Sequence, residues 1–121
     1  MENQASINRV ELTGRVSGSP ELRLVPPGCT FYTSFGLTVR GTWPDHTGQT
    51  VPMDYTITCF AQGKKAEEML WLSQGHRVRV FGAIDLLVGE DDGSYVPAVR
   101  VREVMLEEAF QCLREAQDDR E

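Results

Sequence analysis

Arginine and aromatic side chains recur at alternate positions along stretches of the sequence that have the pattern of strands. Because successive side chains of a strand point to opposite faces, residues two apart share one face. The arginines opposite the apolar positions are Arg9, Arg15, Arg40, Arg77, Arg79, Arg100 and Arg102. Tyr32, Phe60 and Phe81 share that outward face. Arginine binds phosphate and an exposed ring stacks on a base, so the combination is typical of a sequence-tolerant surface for single-stranded nucleic acid.

The same residues have a second interpretation. Arginine on an exposed strand face is often only solvated. An outward phenylalanine often packs between subunits, and we interpret Phe81 in that way and the arginine set as phosphate contacts. Trp43 lies in a polar segment, residues 41–52, that we expect to be a loop. There it either folds back over the core or contacts a ligand.

No group of residues has the spacing of a catalytic or metal site. His46 and His76 lack a Cys, an Asp or a second His at the spacing of metal ligands. Ser73 does not lie in a G-x-S-x-G nucleophile elbow, because Trp71 stands at the first glycine position. No glycine-rich loop opens a helix as in phosphate-binding motifs. The sequence therefore predicts a binding protein that is not an enzyme and that uses neither a metal nor a cofactor.

The middle of the chain predicts a strand, a short helix and a second strand. Apolar side chains alternate in residues 53–61 and again in residues 77–88, which is the period of a half-buried strand. Between these stretches, residues 64–72 carry apolar side chains at helical spacing. An Asp-Gly turn at residues 89–94 then predicts a hairpin.

Alternation elsewhere predicts further strands at residues 8–16, 29–40 and 95–106, with a short extended piece at 21–25. Five strands with one helix between the third and the fourth indicate an all-β fold. The best match is a five-stranded Greek-key barrel of the oligonucleotide/oligosaccharide-binding type, the OB-fold, although other small barrels share this periodicity. In the last strand the alternation slips near its end, where Val104 and Leu106 are apolar.

After residue 106 the apolar period becomes that of a helix. We therefore expect an OB-fold domain over residues 1–106, followed by an amphipathic helix and an acidic end over residues 107–121. An isolated helix of this length is marginal in water, so it must dock on its own barrel or on another subunit. This apolar stripe and the apolar side chains within residues 84–88 predict a homodimer or homotetramer.

The charge of the chain is unevenly distributed. The net charge is −6, but residues 107–121 hold six acids and two bases, whereas residues 1–106 hold twelve acids and ten bases. An acidic total therefore does not exclude a basic groove. Three cysteines without motif spacing, no secretory signal and no apolar run of membrane-spanning length predict a cytoplasmic protein with reduced thiols and no membrane association.

A series of short motifs resembles the bacterial single-stranded DNA-binding proteins over about residues 7–108. The motifs, in chain order, are Asn8-Arg-Val-x-Leu-x-Gly-Arg-Val16, Pro20-Glu-Leu-Arg23, Trp43, Thr58-Cys-Phe60 and Gly75-x-Arg-Val-x-Val-x-Gly82. The resemblance implies a five-stranded barrel that assembles as a homo-oligomer and binds single-stranded DNA in replication, recombination or repair. It also implies that Trp43 and Phe60 stack on bases, and that other replication or repair proteins are further partners.

Two departures from that family favour a second hypothesis. Asp54 stands where the family usually has a stacking aromatic, and residues 85–92 are apolar and acidic where the family is basic. The alternative is an OB-fold protein-interaction module that resembles primosomal replication proteins and binds DNA weakly or not at all. A small-ligand barrel is a third interpretation. The predicted DNA-binding residues are Arg15, Arg40, Trp43, Phe60, Arg77, Arg79, Arg100 and Arg102.

Overall fold

A computed structural model describes residues 6–26, 28, 30–88 and 93–118. The strands and helices in these ranges are β1 (Val10–Val16), β2 (Glu21–Val25), β3 (Thr30–Pro44), β4 (Thr50–Gln62), α1 (Lys64–Glu68), β5 (Arg77–Val88), β6 (Tyr95–Leu106) and α2 (Glu107–Asp118). The strand order is β1-β5-β6-β4-β3-β2, and β1 also pairs with β3. This extra pairing closes five strands into a barrel, so the expected OB-fold with a helix between its third and fourth barrel strands is confirmed.

The extended piece at residues 21–25 is a strand of its own. As β2 it pairs antiparallel with the start of β3 and lies outside the closed barrel. Two parts of the predicted structure lie outside the described residues: Cys29, the expected first residue of the strand at 29–40, and most of the turn at 89–94. Neither helix in the described ranges has the length and apolar content to cross a bilayer.

Close strand crossings explain where the barrel closes. An added Cβ at Gly14 would lie 2.3 Å from the carbonyl oxygen of Thr38, so only glycine lets β1 approach β3 there.

On β5, Phe81 pairs with Glu103 while Gly82 pairs with Val101. One residue of β6, Arg102, is therefore extra, and this β-bulge accounts for the slip in alternation near the end of the last strand.

The barrel interior is apolar, as the alternation predicts. Its core residues are Val16, Phe35, Leu37, Val39, Cys59, Ala61, Met69, Leu72, Val78, Val80, Val99 and Val101. Helix α1 ends at Glu68 rather than at the expected residue 72. After it the chain forms tighter turns, in which the amide of Leu72 donates to the carbonyl of Met69 at 3.2 Å. Because Met69 and Leu72 are three residues apart in these tight turns, both side chains point into the core.

Helix α2 docks on the barrel of its own chain. The ring of Phe110 lies 6.0 Å from that of Phe81 on the outer face of β5. Within the chain Phe81 packs against α2, yet the ring is only half-buried and lines a groove with Phe110. That Phe81 packs between subunits stays a prediction. Leu113 of α2 remains 57% exposed.

Candidate nucleic-acid interface

One side of the barrel has an outer face of mostly small and polar side chains. We call it the β3–β4 outer face. On β3 it consists of Tyr32, Ser34, Gly36, Thr38 and Arg40, and on β4 of Asp54, Thr56, Thr58, Phe60 and Gln62. The two strands run antiparallel, so each residue of one strand lies beside its partner on the other. Apart from its two ends, this face has few bulky side chains that would keep a ligand away from the sheet.

A row of cross-strand neighbours brings two arginines to this face. Arg77 of β5 pairs with Arg15 of β1, Arg15 pairs with Thr38, and Thr38 pairs with Thr56. The hydroxyl groups of Thr38 and Thr56 are 3.1 Å apart and share a hydrogen bond. Direct neighbours on one face of a sheet have Cβ atoms about 5 Å apart. Two positive charges therefore stand beside a pair of hydroxyl groups.

Arg15, Thr38 and Arg77 line a surface cleft of about 250 Å³. We call it the arginine cleft, and its lining is Thr13, Gly14, Arg15, Val16, Ser17, Thr38, Arg40, Gln74, Gly75 and Arg77. None of these lining residues is acidic. Arg15 donates through Nη1 to the carbonyl oxygen of Gly75 at 3.0 Å, which orients its guanidinium. Three cations beside hydroxyl donors make a site that attracts anions.

Among the described residues, Arg40 is the one cleft arginine that forms an ion pair. Its Nε lies 3.2 Å from Oδ2 of Asp54, and both side chains are well exposed, at 76% and 60%. An ion pair exposed to this extent is worth little, because water and salt screen it. Asp54 therefore reduces the positive charge at the edge of the cleft without holding Arg40 firmly.

At the other end of the same face, three side chains form an aromatic stack. The rings of Tyr32 and Phe60 are 5.8 Å apart and nearly parallel, and the guanidinium of Arg100 lies 5.0 Å from the centre of the Phe60 ring. Arg100 also binds Asp85, with Nη2 and Oδ2 2.6 Å apart. Burial raises the pKa of the Tyr32 phenol, and the charges of Arg23 and Arg100 partly oppose that shift. The stack is therefore preformed.

Phe60 is not the exposed ring that the sequence predicts. Its outward position on β4 is correct, yet it is 1% exposed. Tyr32 and Arg100 cover the ring, so a ligand reaches the stack first through those two side chains. The sequence already placed Tyr32 on the outward face with Phe60, but Tyr32 was not included among the predicted DNA-binding residues.

Trp43 lies on a ribbon of β3 and β4 that extends past the end of the barrel. The expected loop at residues 41–52 is mostly strand, with a turn only between Pro44 and Thr50. Asp45 orders this turn, because its Oδ1 accepts hydrogen bonds from the hydroxyl and amide of Thr47 and from the amide of Gln49. The hydroxyl bond is the largest cause of a lowered pKa at Asp45.

Trp43 does not cover the core, since it is 60% exposed. It pairs with Val51, and Tyr55 follows on the same face of the ribbon. This face would point to the core within the barrel, but beyond the barrel nothing covers it among the described residues, so Tyr55 is 37% exposed. Alternation places Tyr55 on the same face of the strand as the buried Cys59, and the sequence gives no sign that the ribbon extends past the barrel.

Arg79 and Arg102 lie on another side of the barrel, beneath α2. Arg79 binds Glu11, and it binds Glu107 with Nη2 and Oε1 2.7 Å apart. Its guanidinium also stands 4.0 Å from the ring centre of Phe110, and its side chain is 16% exposed. Hydrogen bonds from Arg79 hold the pKa of Glu107 below its usual value. Arg102 lines a groove with Phe81 and Phe110.

The structure thus separates the predicted DNA-binding residues into four places. Arg15, Arg40 and Arg77 share the arginine cleft, Phe60 and Arg100 belong to the aromatic stack, Trp43 lies on the ribbon, and Arg79 and Arg102 lie beside α2. That each of them contacts DNA stays a prediction.

The described residues contain no group of three or more His, Cys, Asp or Glu side chains that could hold a metal ion. Burial raises the pKa of the Cys59 thiol to about 12. A thiol with that pKa is protonated at neutral pH and is not an active nucleophile.

No family model and no curated protein matches the sequence, whereas solved structures do. One is a deletion mutant of the single-stranded DNA binding protein from Thermus aquaticus, with a TM-score of 0.68 and 23% identity over 83% of this chain. The chain spans 50% of that protein's length. Another is the small single-stranded DNA-binding protein from Streptomyces coelicolor, with a TM-score of 0.67, 16% identity, and coverage of 88% of this chain and 98% of that one. The resemblance inferred from the motifs is therefore confirmed at the level of the fold.

Proposed function

We propose that the chain is a non-catalytic protein that binds single-stranded DNA. The observation that carries this proposal is the arginine cleft, which opens beside the β3–β4 outer face. In OB-folds the corresponding two strands form the face that binds oligonucleotides. The Thermus and Streptomyces structures described above are of proteins named for single-stranded DNA binding.

The positions of these residues define a path for the single-stranded DNA along β3. Arg15, Arg40 and Arg77 bind phosphates at one end, and the small residues of the β3–β4 outer face let the sugar-phosphate backbone approach the sheet. Tyr32 and Arg100 contact the DNA at the other end of this path. From Arg40 to Tyr32 the path follows β3 for about 26 Å, at ~3.3 Å per residue. Sequence-independent single-strand sites combine a basic groove with aromatic rings in this way.

Trp43 and Tyr55 lie on the opposite face of the ribbon from Arg40 and Asp54, so they supply stacking surfaces to DNA that passes around the ribbon beyond the cleft. Arg79 is not among the proposed contacts, because its guanidinium already binds two carboxylates. We further propose a cytoplasmic role in replication, recombination or repair, carried out by a homo-oligomer.

A second candidate function is a protein-interaction module, which the far end of the β5–β6 hairpin favours. Ile84, Leu86, Val88 and Tyr95 are 40%, 55%, 63% and 67% exposed. The adjoining sequence is acidic, with Glu90, Asp91 and Asp92. An apolar surface next to acids is suited to a protein partner and unsuited to a phosphate backbone.

Tryptophan fluorescence distinguishes the two functions. In a Trp71→Phe background, Trp43 is the sole tryptophan, so titration with oligo-dT should quench its emission. Replacing Trp43 by Ala should weaken binding by ~1–3 kcal/mol, measured by anisotropy of a labelled oligo-dT. An unchanged dissociation constant with an intact circular dichroism spectrum would remove Trp43 from the site. No binding at low salt would overturn the DNA-binding function and favour the interaction module.

A further inference from the structure

Strand β2 leaves one edge of the sheet open. It stands last in the strand order and pairs only with β3 among the described residues. All of its residues are exposed, including Leu22 at 41%, Leu24 at 58% and Val25 at 40%. An open edge offers unpaired backbone donors and acceptors to another strand, and proteins usually protect such edges. The exposed apolar residues of β2 do not protect this edge and instead favour its pairing with another strand.

The two faces of β2 differ in character. Glu21 and Arg23 pair with Ser34 and Tyr32, so they belong to the outer side of the sheet. Leu22 and Leu24 belong to the opposite side. Neither Glu21 nor Arg23 forms an ion pair with any residue that the structure describes. An acid and a base two positions apart on an open edge can therefore pair with the same two residues of a second copy.

We propose that β2 is a docking edge for β2 of a second copy of this chain, in an antiparallel pairing centred on Leu22. In this register Glu21 faces the partner's Arg23, Arg23 faces the partner's Glu21, and Leu22 faces the partner's Leu22. Opposite charges directly across two strands stabilise the pair. The contact is symmetric and closes on itself, so it produces a dimer and not a fibre.

No neighbouring register satisfies these residues equally well. Moving the centre to residue 21 sets Glu21 against its own copy, and moving it to residue 23 does the same for Arg23, so like charges meet. Slipping by a single position brings a leucine opposite a charged residue, because side chains alternate between faces. Pro20 and Pro26 flank the strand and limit the ladder to this short segment.

The pairing would join the β3–β4 outer faces of two copies on one side of a continuous sheet. Strands of five residues make a small and weak contact. Two copies held on one DNA strand raise their local concentration, so the contact would appear as cooperative binding. This consequence rests on the proposed function, whereas the pairing itself does not need DNA.

Charge reversal tests the pairing in the intact chain without DNA. Glu21→Arg and Arg23→Glu should each weaken self-association about tenfold in sedimentation equilibrium at low salt, because two attractive pairs become repulsive. The double variant should restore it, and so should an equimolar mixture of the two single variants. Restoration by the mixture separates pairing between copies from a contact within one copy. If neither the double variant nor the mixture associates more strongly than the singles, the proposal is overturned.

A disulfide trap tests the register independently of any other interface. In a Cys29→Ser, Cys112→Ser background, Leu22→Cys should give a covalent dimer under mild oxidation. Leu24→Cys is the matched control, since its two copies would be about 13 Å apart along the strand, well beyond the reach of a disulfide. Equal trapping of both variants would overturn the register, and no trapping of either would overturn the pairing. Neither result depends on DNA binding, which the oligo-dT titration measures separately.

Discussion

Arg77 and Arg79 lie two residues apart on the same face of β5, yet of the two only Arg79 forms ion pairs among the described residues. Arg77 pairs across the strands with Arg15 and lines the arginine cleft, which has no acidic lining residue. On its other side Arg77 lines a second cleft with Glu107 and Glu108 of α2, where its charge acts on Glu107 without forming an ion pair. Arg79 is enclosed by Glu11, Glu107 and the ring of Phe110. Strand alternation assigns both side chains to one face. What lies across from each of them decides which charge is available to a ligand.

The two regions also differ in what their charges do for the fold. In the arginine cleft, like charges stand together in solvent and repel one another, so binding a phosphate relieves that repulsion. Beneath α2, the positive charge of Arg79 is compensated within the chain and ties the helix to the barrel. Loss of an arginine should therefore reduce binding in the first region and stability in the second.

Removing Arg79 should give the largest effect on stability. Arg79→Met retains much of the apolar stem but removes the guanidinium that binds Glu107, which keeps only the hydrogen bond from Gln111 among the described residues. Hydrogen bonds to charged groups contribute about 1.5–3 kcal/mol, and we expect a loss of that size in the free energy of unfolding measured with urea. Affinity for oligo-dT should stay within a factor of about two, because no proposed contact changes. If Arg79→Met binds oligo-dT much more weakly but is as stable as the wild type, Arg79 is a DNA contact and not a structural residue.

The pH dependence of stability should identify Glu107 as the partner. Arg79 lowers the pKa of Glu107 in the folded state, so this pairing stabilises the protein above the unfolded-state pKa of about 4.3. That contribution is lost as the pH falls through the lower folded-state value. The wild type should therefore lose more stability than Arg79→Met between about pH 5 and pH 3. Parallel curves for the two proteins would mean that the ion pair contributes little.

Removing both Arg15 and Arg77 should give the largest effect on binding. Each phosphate contact contributes about 0.7 to the slope of log K against log salt on single strands. The double variant Arg15→Ala, Arg77→Ala should therefore have a slope shallower by about 1.4 and bind about 10- to 30-fold more weakly at 0.1 M salt. Thermal unfolding should change little, because both side chains are exposed.

A matched double variant controls for net charge. Arg102→Ala with Arg114→Ala removes two positive charges from the groove beside α2. It should weaken binding less than about threefold and leave the salt slope nearly unchanged. If it weakens binding as much as the cleft variant does, affinity follows total charge and the cleft has no special role.

The sequence predicted most of the fold because burial imposes a period of two on strands. The barrel, the bounds of its last strand at Tyr95 and Leu106, and the slip near Val104 all followed from alternation. Sequence alternation shows which face a side chain takes but not which distant residue covers it. Phe60 is buried by Tyr32 and Arg100, and neither lies near it in sequence.

The candidate site was predictable only in part, for the same reason. Three of the predicted arginines do converge in one cleft, since cross-strand pairing places Arg15 beside Arg77. The enclosure of Arg79 depends on Glu107, which belongs to a helix whose docking side the sequence left open. The exposure of Tyr55 depends on how far a strand extends past the barrel, and alternation contains no information about that length.

The smallest expected effect concerns Asp54, which marks the border of the arginine cleft. Its ion pair with Arg40 is exposed and contributes at most about 1 kcal/mol. Asp54→Asn should release Arg40 and remove a negative charge near the path of the strand. We expect oligo-dT to bind about two- to fivefold more tightly, with a salt slope steeper by up to about 0.7. Glu103→Gln makes the same charge change in the groove beside α2 and should leave affinity unaltered. If Asp54→Asn leaves both affinity and slope unchanged, or if Glu103→Gln tightens binding equally, Arg40 lies off the path and the cleft is limited to Arg15 and Arg77.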